Sequence, residues 1–106
     1  MKVRYFIAMT AALSVSAAAF AADDGEALFK KHNCTVCHSV AKKVVGPALK
    51  EIAAKYRGDS EAQAKLEKKV RNGGSGVWGA MPMPPAAKSV SDENIKTIVQ
   101  WVLSLK

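Results

Sequence analysis

The sequence predicts an all-α domain of about four helices, and three observations support this fold class. Several segments carry apolar residues at the spacing of a helix face, and glycines or prolines separate them. No run of residues has the alternating pattern that indicates a β-strand. The chain has 106 residues, which is enough for one small domain.

The first 21 residues are expected to be a signal peptide rather than part of that domain. Met1–Arg4 is basic, Tyr5–Phe20 is apolar and rich in small residues, and Ala19-Phe20-Ala21 has the A-x-A form of a cleavage site. The apolar run is too short and too rich in alanine to favour a permanent membrane span. The alternative interpretation is an amino-terminal anchor that is not cleaved. We therefore expect cleavage after Ala21, export to the periplasm, and a mature domain of residues 22–106.

Capping residues indicate where the first two helices begin and end. Asp23 and Glu26 have the spacing of a capping box, so the first helix is expected to start there and to run into the cysteines. Pro47 suits the first position of the second helix, because a proline lacks the N–H that this position leaves unpaired. Gly58 is expected to stop the second helix.

The third helix is expected over Ser60–Asn72, and a run of glycines ends it. The segment Val77–Lys88 contains three prolines and is therefore expected to be irregular. Ser91 is placed as the N-cap of the last helix, with acidic residues in the first turn. This helix has the cleanest apolar stripe in the sequence, formed by Ile95, Ile98, Val99, Val102 and Leu103.

The strongest chemical signal is the C-x-x-C-H motif formed by Cys34, Cys37 and His38. This spacing is the pattern of covalent c-type haem attachment. Two thiols on one tight turn can each bond to one of the two vinyl groups of a haem, and the next imidazole can supply an axial nitrogen to the iron. We therefore expect one haem c, held covalently by Cys34 and Cys37, with His38 as an iron ligand.

Three other interpretations of the cysteine pair fit the sequence less well. A thioredoxin-like dithiol requires alternating strands and helices, which the sequence does not show. A zinc site requires four ligands, whereas two cysteines and two histidines, His32 and His38, are crowded into seven positions. A disulfide would close a very short loop and would constrain the unfolded chain little.

Charge and size agree with a protein that carries a bound group. Removal of residues 1–21 lowers the basic count from 16 to 14 against nine acidic residues, so the mature chain remains at +5. The basic residues are spread along the chain and accompany no nucleic-acid motif, so we expect no nucleic-acid partner. A domain of this size buries little surface, and a buried macrocycle would supply the missing core.

The residues that could occupy the second axial position of the iron are Met81, Met83 and His32. His32 lies on the helix that leads to the motif and is better explained as an exposed helical histidine. At least one of the two methionines is expected to be a filler of the core. Spacing alone does not choose between them and slightly favours Met83, which has prolines on both sides.

Nearly all of the mature chain resembles the short bacterial class I cytochromes c of the five-fifty-one type, which are periplasmic one-electron carriers. The resemblance covers Glu26 to Lys106 and rests on several separate segments in the same order. These segments are Leu28-Phe29-Lys30, Cys34-x-x-Cys37-His38, Val45-Gly46-Pro47-Ala48, Asn72-Gly73, Gly76-Val77-Trp78-Gly79, Pro82-Met83-Pro84-Pro85 and Trp101-Val102-Leu103-Ser104.

The resemblance implies roles for individual residues and a class I cytochrome c fold, in which the first and last helices cross beside the haem. It implies that Met83 is the sulfur ligand and that the Pro47 carbonyl accepts the outer N–H of His38. It also implies that Trp78 donates its indole N–H to a haem propionate, whereas the residue by itself would be taken as an ordinary packed aromatic.

One position departs from the family pattern. The family usually has a side-chain amide soon after the proline pair, hydrogen-bonded to the methionine sulfur, whereas this chain has Ala86. Without that donor the sulfur keeps more electron density, so we expect a somewhat lower potential and a methionine that changes configuration more easily.

The expected function is one-electron transfer in the periplasm by a monomer. With nitrogen and sulfur on the two faces, the iron has no vacant position, so no enzymatic activity is expected. The resemblance implies a membrane cytochrome complex as donor and a nitrite reductase, oxidase or peroxidase as acceptor. Lysines could steer partners with acidic docking surfaces; the candidates are Lys30, Lys31, Lys42, Lys43, Lys50 and Lys88. The alternatives are a haem sensor or peroxidase-like protein with a labile sixth ligand, and a haem-free dithiol oxidoreductase.

Overall fold

The computed structural model of the chain describes residues 17–106, and the first 16 residues of the expected signal peptide lie outside this range. The all-α fold class is confirmed: the described residues form helices and two isolated β-bridges, with no strand. The helices are α1 (Ala17–Lys31), a short 3-10 helix η1 (Cys34–Val36), α2 (Leu49–Lys55), α3 (Ala62–Asn72) and α4 (Asp92–Ser104). No helix in the described part of the chain is both long and apolar enough to cross a membrane.

Helix α1 starts earlier than the capping box predicted. It already includes Ala17, the first described residue, so Asp23 lies inside the helix and does not cap it. The residues from Ala17 to Ala22 are mostly alanine, the best helix former, and nothing among them ends a helix. Glu26 pairs instead with Lys30 one turn later, at 3.2 Å. The predicted start was therefore wrong for the chain that keeps its first residues.

Helices α1 and α4 approach each other closely where they cross at Gly25. A Cβ atom at Gly25 would collide with the Cβ atom of Trp101 and would lie 2.8 Å from the carbonyl oxygen of Thr97. The rings of Phe29 and Trp101 pack with their centroids 5.3 Å apart and tilted by 54°. Only glycine allows this approach of the two backbones.

Helix α2 begins two residues after the predicted position of Pro47. The N–H groups of Leu49 and Lys50 donate to the carbonyls of Ser39 and Val40, at 2.9 and 3.0 Å. The loop that follows the cysteine motif therefore caps this helix in place of a side chain. Pro47 stays in the loop, so its carbonyl oxygen is free to accept a hydrogen bond from outside the helix.

The last two helices follow their predicted boundaries closely. Helix α3 starts two residues later than expected, because the Asp59 carboxylate accepts from the Glu61 N–H at 2.8 Å and ends the preceding turn there. It ends at Asn72, as predicted. Ser91 is the N-cap of α4, and its hydroxyl oxygen accepts from the Asn94 N–H at 3.1 Å.

Two groups of buried residues form the core. Phe29, Leu49, Ile52, Ile98, Trp101 and Val102 join α1, α2 and α4. Val90, Ile95 and Val99 form a smaller group, against which Leu66 and Val70 of α3 and Ala86 pack. Helix α4 contributes to both groups, and its predicted apolar stripe is largely buried. Helix α4 is therefore the central helix of the domain, and an open chamber lies beside it.

Candidate functional site

The chamber has a volume of about 1100 Å³ when its open mouth is included. Its walls are mainly apolar, and α4 contributes Ile98, Val99 and Val102 to them. Sites for small molecules and cofactors are lined largely by apolar side chains, with a few polar groups that orient the ligand. The lining of the chamber is therefore typical of a site that holds a bound organic group.

The cysteine motif supplies one part of the lining. The 3-10 turn η1 closes through bonds from the N–H groups of Cys37 and His38 to the Cys34 carbonyl, at 3.2 and 3.0 Å. Both cysteines are half-buried free thiols that line the chamber. Burial raises the pKa of the Cys34 thiol above its ordinary value, and a hydrogen bond with its own backbone opposes this shift. One turn of chain thus brings both thiols and an imidazole to the same space.

The His38 ring is held by the loop that leads to α2. Its Nδ1 atom lies 2.9 Å from the Pro47 carbonyl oxygen, a hydrogen-bond distance at which the ring N–H donates. A Cβ atom at Gly46 would lie 2.5 Å from His38 Cε1, so only glycine leaves room for the ring. With the proton on Nδ1, the lone pair of Nε2 is available to a metal ion.

The segment after α3 supplies another part of the lining. Met83 and Gly74 exchange two backbone hydrogen bonds of 2.9 Å each, which hold the Met83 backbone. Met83 is half-buried, whereas Met81 is 69% exposed, and both line the chamber. Trp78 also lines it, and the Lys55 ammonium nitrogen lies 5.5 Å from the centroid of the Trp78 ring.

His32 is not part of this site. Its ring is half-buried between α1 and α4, where Nε2 lies 3.4 Å from Asn94 Nδ2, and it is not among the residues that line the chamber. Within residues 17–106 no three His, Cys, Asp or Glu side chains are grouped as metal ligands. The zinc interpretation therefore finds no support in the described residues.

Sequence reasoning missed two lysines at the chamber. Lys55 reaches the Trp78 ring from α2, and Lys69 of α3 lines the chamber directly. Neither belongs to a motif, and the contact between Lys55 and Trp78 spans 23 positions of the chain. Only the fold could bring these side chains to the site.

The residues of the chamber fit a haem. The thiols for covalent attachment, an imidazole with a free Nε2 atom and two thioether side chains line one apolar space. Val77 and Met81, which line it, are more than half exposed, as expected for apolar side chains that a bound group would cover. The fold and the site together define a small all-α protein that carries a covalently attached haem.

Comparison with known proteins identifies the family. The family model described as cytochrome c matches residues 22–106. Cytochrome c-551 of Pseudomonas aeruginosa is 49% identical over 85 residues, which is 80% of each chain. Cytochrome c-552 of Nitrosomonas europaea is 49% identical over 96 residues, which is 91% of each chain. The crystal structure of wild-type cytochrome c552 from Nitrosomonas europaea aligns with a TM-score of 0.73 and 52% identity, covering 76% of this chain and 99% of that one.

The chain belongs to the cytochrome c family, whose members are electron carriers. It carries one covalently attached c-type haem, for which Cys34 and Cys37 are the two cysteines of the chain. Its relatives are cytochromes c and not enzymes, so its activity is electron transfer. The expected class I cytochrome c fold is thereby confirmed.

Proposed function

We propose that this protein is a periplasmic one-electron carrier in which His38 and Met83 are the axial ligands of the haem iron. The observation that carries this proposal is that both side chains line the same chamber as the two cysteine thiols. When bound, the haem supplies a one-electron couple between ferric and ferrous iron. Closure of both axial positions leaves the iron no site for a substrate.

Cys34 and Cys37 hold the haem through thioether bonds in this proposal. The 3-10 turn supports it, because its backbone bonds keep the two thiols on the same side of the chain. His38 follows directly and binds through Nε2. The Pro47 carbonyl fixes the ring orientation and makes the nitrogen a stronger donor, since Nδ1 and the carbonyl oxygen are 2.9 Å apart.

Met83 is a better candidate than Met81 for the sulfur ligand. Its backbone is pinned to Gly74 by two hydrogen bonds, and the prolines on both sides restrict it further. Met81 is 69% exposed, whereas Met83 is half-buried. A ligand that must stay on the iron through many redox cycles requires a fixed backbone such as that of Met83. In this proposal Met81 is not a ligand and covers the outer part of the chamber.

Trp78 is proposed to donate its indole N–H to a haem propionate. Its ring lines the chamber, and the Lys55 ammonium above the ring places a positive charge beside the same region. A carboxylate would be stabilised by both groups, because each presents a donor or positive charge to it. This pair therefore favours a propionate at this edge of the chamber.

Separate substitution of each methionine tests which of them is the iron ligand. We expect Met83→Ala to abolish the weak far-red absorption band that sulfur coordination gives to ferric haem, and to allow carbon monoxide to bind the ferrous protein. Met81→Leu is the matched control, because it lies two positions away and keeps an apolar side chain; its spectrum should equal that of the parent. Loss of the band in Met81→Leu but not in Met83→Ala would contradict the assignment.

We also propose that the protein is exported to the periplasm. The basic start, the apolar run and the A-x-A sequence support cleavage after Ala21 and a location in the periplasm. The intact mass of the protein purified from the periplasm is expected to equal residues 22–106 plus one haem. A mass that retains the first 21 residues would contradict cleavage.

The carrier is proposed to be a monomer that docks weakly with acidic surfaces of a membrane cytochrome complex and of a nitrite reductase, oxidase or peroxidase. Exposed lysines support this: Lys31, Lys42, Lys43 and Lys50 carry no ion pair within the described residues, whereas Lys30 is paired with Glu26. Attraction between the net positive charge and an acidic partner speeds encounter. Transfer rates should therefore fall as ionic strength rises; rates that do not change would rule out electrostatic steering.

A further inference from the structure

The segment from Met83 to Asp92 is attached along its length to the end of α3. Its first residue exchanges two backbone bonds with Gly74. Three positions later the Ala86 N–H donates to the Val70 carbonyl at 2.9 Å. The rest of the segment, as far as α4, is held by the buried side chain of Val90 and by the side chain of Arg71.

The Arg71 guanidinium donates to three residues of this segment. Nη1 donates to the Ala87 carbonyl at 3.2 Å, and Nη2 donates to the Val90 carbonyl. Nε and Nη2 both donate to Asp92 Oδ1, at 3.1 and 2.8 Å. The acceptors span six positions of the chain, and the planar guanidinium has enough donors in one fixed fork to reach them together.

We propose that Arg71 is a positioning residue that keeps Met83 on the haem iron by holding the segment from Ala87 to Asp92 against α3. This inference rests on the proposed ligand role of Met83. Between Met83 and Ala87 lie only Pro84, Pro85 and Ala86, and the two prolines have fixed φ angles. A shift of the chain at Ala87 is therefore passed through a short, stiff link to the methionine.

The two backbone carbonyls are the important acceptors. The Asp92 side chain is 91% exposed, so its ion pair with Arg71 is worth little in water. The Arg71 side chain is only 30% exposed, and its bond to Val90 is partly shielded. Loss of the guanidinium therefore removes the hydrogen bonds that hold the backbone at Ala87 and Val90, whereas loss of the Asp92 charge leaves both of these bonds in place.

The test is the rate at which exogenous imidazole replaces the sulfur ligand in the ferric holoprotein, followed in the Soret band by stopped flow. We expect Arg71→Gln to raise this rate by about tenfold or more, as expected when several charged hydrogen bonds are lost. Arg71→Lys, which keeps the charge but not the fork, should give an intermediate rate. Asp92→Asn should stay within about twofold of the parent, because its oxygen still accepts a hydrogen bond.

A matched control separates positioning from general stability. Leu28→Ala weakens the packing of α1 against the buried group that joins α1, α2 and α4, and Leu28 is not itself among the residues that line the chamber. The two variants are compared under conditions in which their melting temperatures are lowered by the same amount. Under these conditions imidazole should replace the sulfur ligand faster in Arg71→Gln than in Leu28→Ala. Hydrogen exchange of the Ala86 amide should also quicken in Arg71→Gln, while that of Phe29 stays as in the parent.

If imidazole replaces the sulfur ligand at the same rate in Arg71→Gln and in the stability-matched Leu28→Ala, the inference about Arg71 is overturned. The proposed role of Met83 as the ligand would not be affected by that result. If Arg71→Gln does not accumulate as holoprotein, the ligand replacement rate of Arg71→Lys is compared with that of Leu28→Ala instead. A parent protein without the far-red sulfur band would overturn both this inference and the proposed function. The two failures are therefore distinguishable in one set of spectra.

Discussion

Ala86 lies three positions after Met83, where the family resemblance implies a side-chain amide. Its N–H is bound to the Val70 carbonyl, and its methyl group packs against the buried group of Val90, Ile95 and Val99. Ala86 is not among the residues that line the chamber. The proposed sulfur ligand therefore has no amide donor from this position.

Restoring an amide at this position should change the redox potential. We expect Ala86→Asn to raise the midpoint potential relative to the parent, because a hydrogen bond to the sulfur withdraws electron density and disfavours the ferric state. The amide would displace a packed methyl group, so a loss of stability of about 1–3 kcal/mol is also expected if the donor finds no partner. Potentiometry on both proteins measures the effect.

Ala87→Asn is the matched control for Ala86→Asn. Ala87 is exposed, and its role in the described contacts is through its carbonyl, which the substitution keeps. Its potential should equal that of the parent. An unchanged or lowered potential in Ala86→Asn would show that the missing amide does not tune the sulfur.

At the residue scale, local patterns were readable from the sequence and distant contacts were not. Cys34, Cys37 and His38 are recognisable because the chemistry demands a fixed spacing within five residues. The pairing of His38 with the Pro47 carbonyl was implied only by the family resemblance. The contacts made by Arg71 and Lys55 join residues that are far apart in the chain and leave no pattern in it.

At the scale of elements, a charged pair holds the start of α3. The Lys65 ammonium donates to Asp59 Oδ2 at 2.9 Å, and the Glu61 N–H donates to Oδ1. The hydrogen bond with Lys65 lowers the pKa of Asp59, with a smaller contribution from the Glu61 N–H. The same pair raises the pKa of Lys65.

Both shifts make the stability of this turn depend on pH. Because the pKa of Asp59 is lowered on folding, its contribution is present above the unfolded value of about 3.9 and is lost as pH falls through the lower folded value. Because the pKa of Lys65 is raised, its contribution is present below about 10.4 and is lost as pH rises through the higher folded value. The pair therefore stabilises the fold between about pH 4 and pH 10.

Asp59→Asn removes the charge and keeps an oxygen for the Glu61 N–H. We expect its melting temperature to lie below that of the parent from about pH 5 to pH 9, and the difference to shrink toward zero near pH 2. The control is Asp24→Asn, which neutralises an exposed carboxylate that forms no ion pair within the described residues. A difference that persists unchanged at pH 2 would mean that geometry, not charge, holds the turn.

The helices differed in how well their boundaries could be predicted. Helix α4 has both a capping serine and a clear apolar stripe, so local and tertiary signals agree. Helix α2 starts late because the loop at Ser39 and Val40 caps it, a contact across ten residues that no local pattern reports. Helix α1 extends upstream of the predicted start at Asp23 because alanine propensity outweighs the acidic capping pattern.

At the scale of the whole molecule, the domain is built around a space rather than around a closed core. Apolar residues that line the chamber remain well exposed, including Val45, Val77, Trp78 and Met81. Buried apolar surface is the main source of folding stability, at about 25 cal/mol for each Å². A small domain that leaves such surface open depends on its bound group for stability.

A chain that cannot attach haem is therefore expected to lose its helices. Cys34→Ala with Cys37→Ala should give a circular dichroism signal at neutral pH far below that of the holoprotein, with no cooperative melting. Thr35→Ala with Val36→Ala is the control, because it changes the same turn and keeps both thiols. A haem-free chain with full helical signal and a sharp transition would contradict this dependence.

Both axial positions of the iron are proposed to be closed, which leaves the haem only electron transfer. Carbon monoxide added to the reduced parent protein at neutral pH tests this claim most directly, because the gas binds ferrous haem wherever a position is open or readily vacated. We expect no change in the Soret band. A shifted, gas-bound spectrum at neutral pH would contradict the claim and would identify a sensor or peroxidase-like protein with a labile sixth ligand.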